Sequence, residues 1–84
     1  MNAITDDLIN GVVHKIAPDF LSVISDNSLI KTWKSLTPLA RNEWICWIES
    51  AKKTETRIKR MHWGKEELLN GKRRPCCWAG CKHR

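Results

Sequence analysis

The chain has 84 residues, 42% apolar and 29% charged, which is one small globular domain and excludes both a second folded domain and a disordered polyelectrolyte. A domain of this size buries only about 60–65% of the surface its unfolded chain exposes, so large aromatic anchors or a metal staple are welcome. The formal net charge of +6 is uneven: four basic side chains face six acidic ones up to residue 51, and eleven face three beyond it.

A basic half of this kind attracts phosphate, an anionic lipid surface or an acidic protein face. Asp6 and Asp7 stand where a signal peptide carries its basic region, and no stretch approaches the roughly 18 apolar residues that cross a bilayer. The expectation is a soluble, cytoplasmic, monomeric protein. Thiols stay reduced there, so Cys46, Cys76, Cys77 and Cys81 read as free thiols or metal ligands rather than disulfides.

Apolar residues recur at spacings of three and four with no sustained alternation, which predicts an all-α fold: a small bundle of four to five helices with a cysteine-rich basic C-terminal tail. Thr5 can cap a short first helix, with Asp6 and Asp7 favoured by its dipole, before Gly11 and Val12-Val13 end it. Residues 12–17 read as an irregular lead-in. Pro18 suits the first turn of a second helix carrying Phe20, Leu21 and Ile24. Asp26 or Asn27 can cap a third, Ser28 to Leu36, with Leu29, Ile30, Trp33 and Leu36 on one face.

Thr37-Pro38 is the clearest start signal, a hydroxyl cap followed by a proline whose missing N–H costs nothing in the first turn. The helix it opens runs to about Ala51, with Ala40, Trp44, Trp47, Ile48 and Ala51 inward and Arg41, Glu43 and Glu49 elsewhere on the wheel. A last helix spans about Thr54 to Asn70, closed by Gly71. Ile58, Met61 and Leu68 form its predicted buried stripe, Glu55 and Lys59 an i,i+4 pair, and Gly64 marks a close neighbour or a bend. Residues 1–71 therefore read as a helical domain and 72–84 as a basic Cys/His-rich tail.

The tail holds the sharpest chemistry. Cys76, Cys77, Cys81 and His83 offer the thiolates and imidazole that bind a structural zinc, although only Cys77 and Cys81 have a common ligand spacing; the competing reading is a reduced extension without metal. Vicinal Cys76-Cys77 beside Arg73, Arg74 and Lys82 has low-pKa redox character but no surrounding redox scaffold. The second candidate is a basic docking surface of Arg41, Lys52, Lys53, Thr56, Arg57 and Arg60, able to bind carboxylate or phosphate, against the plainer reading of a solvated helix face with ion pairs. Trp33, Trp44 and Trp47 read as core and Trp63 as exposed, while His14 and His62 read as surface or capping residues and Cys46 as partly buried. No nucleophile has a base and an orienting group beside it, so an enzyme is not expected.

The run from Thr37 through Arg41-Asn42-Glu43-Trp44 to Ile48, followed by Ser50-Ala51-Lys52-Lys53-x-Glu55-Thr56-Arg57-x-Lys59-Arg60, resembles the YdeI/OmpD-associated family. The ending Gly71-Lys72-Arg73-Arg74-Pro75-Cys76-Cys77-Trp78-x-Gly80-Cys81-x-His83-Arg84 is similar to one branch of it, and the likeness spans about Asp6 to the C-terminus. The resemblance implies a role in protection against bacteriocins and cationic antimicrobial peptides, an association with an outer-membrane porin, and no catalytic motif. With a net charge of +6 the chain repels cationic peptides, so a protein partner or an anionic surface fits better, and the charge also permits a nucleic-acid-binding helical module.

Overall fold

The computed structural model describes residues 9–26, 28–75 and 80–81, and the helix start expected at Thr5 lies outside them. Within the described residues four helices follow in order from Pro18: α1 (Pro18–Asp26), α2 (Ile30–Ser35), α3 (Pro38–Glu49) and α4 (Thr54–Leu69). Among the described residues there is no strand.

Local chemistry sets most boundaries. Pro18 opens α1, and Ser28 takes a left-handed φ of 57° in the tight turn that lets Leu29 N–H donate to the Ile24 carbonyl. The residue in the capping position of α2 is Leu29, and it offers no side-chain cap, so the helix does not start from Asp26 as a cap, and Asn27 lies outside the described residues. Thr37 caps α3 as its sequence predicts, its hydroxyl accepting from Ala40 N–H at 3.1 Å with Pro38 behind it. At the end of α4, Gly71 has φ +86°, Gly71 N–H bonds to the Leu68 carbonyl and Lys72 N–H to the Glu67 carbonyl, the paired bonds of a Schellman motif.

The core lies where α1, α3 and α4 meet. Phe20, Ile24, Leu29, Trp33, Leu36, Trp44, Ile45, Ile48, Met61 and Leu68 are buried in one cluster, with Phe20 and Trp33 edge to face at 5.5 Å. Trp47 packs against this cluster from its margin, only partly buried. Ile58 departs from the sequence expectation, being 45% exposed. The face of α4 turned inward is Met61, Gly64 and Leu68, and at Gly64 the helix lies against Trp44 and Phe20, which an added β-carbon would meet at an ordinary contact distance of 3.6–3.7 Å. That rotation carries Ile58 to the flank and brings Arg57 toward α1.

Candidate functional site

The middle of α3 carries three consecutive buried polar residues, Arg41 (2% exposed), Asn42 (0%) and Glu43 (2%). Successive helix positions point about 100° apart, so a helix buries three in a row only when it is covered on nearly every side. α4 and the core cover one side. The other is covered by the lead-in before α1 and by the segment beyond α4.

Each polar residue holds part of that cover. Arg41 Nε donates to the Asn10 carbonyl at 2.9 Å and its Nη1 to the Leu36 carbonyl at 2.7 Å. Burial pulls the Arg41 guanidinium below its ordinary pKa without discharging it at neutral pH. Asn42 Oδ1 accepts from Val13 N–H at 2.9 Å and His14 N–H at 2.8 Å, replacing backbone partners the irregular lead-in lacks. Trp33 Nε1 donates to the Ile9 carbonyl at 2.8 Å. On the far flank, the Glu43 carboxylate accepts from Cys81 N–H at 3.1 Å, and Trp44 Nε1 donates to the Arg73 carbonyl at 3.0 Å. Arg41 and Glu43, placed by helical spacing on outward parts of the wheel, are thus interior residues, because apolar periodicity counts only the first face a helix buries.

These clamps bring together a lead-in histidine, a helix cysteine and a C-terminal cysteine. His14 Nε2 lies 3.3 Å from Cys81 Sγ, and the ligand atoms of His14, Cys46 and Cys81 all fall within 4.8 Å of one another. Cys46 and Cys81 are buried and His14 is half-buried. Such a group can hold a metal ion. Of the ligand set expected in the tail, Cys81 belongs to this cluster, while Cys76, Cys77 and His83 lie outside the described residues. His14, read from the sequence as a surface or capping residue, is the histidine the structure supplies. Its separation of 67 residues from Cys81 hides the pairing from any local spacing.

The basic signature divides into committed and free side chains. Arg57 forms a fork with Asp19, Nε to Oδ2 at 2.8 Å and Nη2 to Oδ1 at 2.9 Å, and its Nη2 also reaches Glu49 at 3.0 Å. The two carboxylates hold the Arg57 guanidinium above its ordinary pKa, and the hydrogen bonds from Arg57 are the main reason the Asp19 carboxyl lies below its own. Arg60 donates to the Trp47 carbonyl and to Ser50 Oγ, with its guanidinium 5.4 Å from the Trp47 ring centroid. Lys52 and Lys53 are exposed and have no ion pair among the described residues, and Thr56 is half-buried. Arg41, expected on this surface, is not on it. The neighbouring face of α4 exposes Trp63 (65%) beside Ile58, and these line a shallow groove with Lys59, His62 and Glu66.

No curated protein and no solved structure matches the chain significantly. The sequence profile of the bacteriocin-protection, YdeI or OmpD-associated family matches residues 15–71, from Lys15, just after the two lead-in residues that Asn42 holds, to the glycine that closes α4. The chain belongs to that family.

Proposed function

We propose that the protein is a small non-catalytic interaction module that supports resistance to bacteriocins or cationic antimicrobial peptides by docking, as a monomer in the cytoplasm, onto an acidic protein partner. The family supports the biological setting. The observation that carries the docking reading is the outer face of α4, where Ile58 and Trp63 expose apolar area beside Lys59, with Lys52 and Lys53 exposed at the helix's N-terminal end. An exposed tryptophan amid uncommitted cations suits a partner that offers an apolar contact within an acidic rim. Direct capture of cationic peptides is disfavoured by the net charge of +6.

The test is a pull-down and a bacteriocin challenge comparing wild type with Lys52→Glu/Lys53→Glu and with Trp63→Ala, each checked for folding by circular dichroism. Both variants are expected to lose the partner and the protection. Retention of both by folded variants overturns the reading. Fluorescence anisotropy against duplex DNA over a salt series runs beside it: tight binding that weakens steeply with salt would transfer the basic face to nucleic acid instead.

A further inference from the structure

We propose that His14, Cys46 and Cys81 form a structural metal site for a soft divalent ion of the zinc class, an inference independent of the docking face. Three observations carry it. The donor set is one imidazole and two thiols, the ligands such an ion prefers over oxygen. The geometry is close to that of a bound state: Zn–S of about 2.3 Å and Zn–N of about 2.0–2.1 Å place nitrogen and sulfur about 3.5 Å apart in a tetrahedron. His14 Nε2 and Cys81 Sγ are 3.3 Å apart, with Cys46 Sγ inside the same 4.8 Å cluster.

The third observation is how the ligands are presented. His14 is placed by its own N–H on Asn42 Oδ1, and Cys81 by its N–H on the Glu43 carboxylate. Cys46 is fixed by α3 itself, so residues 42, 43 and 46 of one helix orient all three donors. These bonds place the backbone of each ligand residue, a complement to the outer contacts that orient ligand side chains in known sites. Two thiolates and a divalent ion sum to zero charge, which suits a buried cluster. On binding, each cysteine Sγ releases its proton to solvent and donates an electron pair to the metal, while neutral His14 donates through Nε2. A fourth tetrahedral position remains for water or another donor. The bound ion would staple the lead-in and the segment carrying Cys81 to α3.

The test uses the full-length, tag-free chain, purified reduced and titrated with Zn2+ and Co2+. One equivalent of zinc is expected, with thiolate-to-cobalt charge-transfer absorption and a raised melting temperature. His14→Gln, Cys46→Ser and Cys81→Ser should each lose stoichiometric binding. Should Cys46→Ser unfold the apo-protein, His14→Gln at the half-buried rim still reports on the site. The proposal is overturned if wild type binds no zinc, if a Cys46–Cys81 disulfide forms in place of metal, or if folded His14→Gln keeps its equivalent while Cys76→Ser/Cys77→Ser loses it.

Discussion

Gly11 faces the backbone of Asn42 with no room between them for a β-carbon. The lead-in can lie flat enough on α3 to deliver Val13 and His14 N–H to Asn42 Oδ1 only because residue 11 has no side chain. Gly11→Ala should therefore destabilise the fold by about 1–3 kcal/mol, the usual cost of overpacking. Gly64 is the control. Its added β-carbon meets Trp44 and Phe20 at 3.6–3.7 Å, an ordinary contact, in mid-helix. Gly64→Ala should raise stability by about 0.5–1 kcal/mol. Chemical denaturation of both variants checks the pair; equal losses would contradict the packing.

Asn42→Ala should cost more than an average polar substitution. It strips two backbone donors of their acceptor and opens a gap inside α3's cover. A loss of about 1–3 kcal/mol per stranded donor is expected, less whatever water recovers at the half-buried lead-in. Hydrogen exchange at Val13 and His14 should accelerate while that of Ile45 and Ile48 stays slow; uniform acceleration would mean that Asn42 acts on the whole core.

The ion triad of Arg57, Asp19 and Glu49 sets a pH dependence. The Asp19 carboxyl lies below its ordinary value of 3.8 when folded, so the unfolded chain binds the proton more readily. Its contribution to stability is full well above 3.8 and disappears as pH falls through the folded value. Both carboxylates are exposed enough for solvent to screen them, which limits each pair to about 0.2–1 kcal/mol. Asp19→Asn should be slightly less stable than wild type at neutral pH, and the difference should close below pH 3.8. A gap that persists in acid would point to a packing role.

Two tryptophans should behave oppositely. Trp44 is wholly buried, stacks edge to face with Trp47 at 5.7 Å and bonds to the Arg73 carbonyl, so Trp44→Ala should cost about 3–5 kcal/mol, enough to unfold a marginal domain. Trp63, at the exposed end of the row, should cost under about 0.5 kcal/mol. Thermal melts followed by far-ultraviolet dichroism distinguish them.

The helices were legible wherever a boundary is written in local chemistry. Thr37-Pro38 needs only its own hydroxyl and ring, and Gly71 only its freedom to take positive φ, so both can be read from neighbouring residues. Ile58 could not be placed by spacing, because a stripe containing a glycine presents its deepest contact with no apolar side chain to count. The buried run Arg41-Asn42-Glu43 is invisible for a related reason: the segments covering it lie about 30 and 38 residues away in sequence. The metal-type cluster inherits that difficulty, since only Cys46 sits on a regular element.

The 67-residue separation between His14 and Cys81 makes their meeting a closure of almost the whole described chain into one loop. Closing so long a loop costs entropy that local helix formation does not repay, so this seam should form late and open early. The lead-in and the C-terminal segment should then detach as one cooperative unit below the global unfolding free energy, leaving α1, α3 and α4 assembled. Native-state hydrogen exchange should find the amides of Val13, His14 and Cys81 opening with a common free energy, distinct from that of the helices.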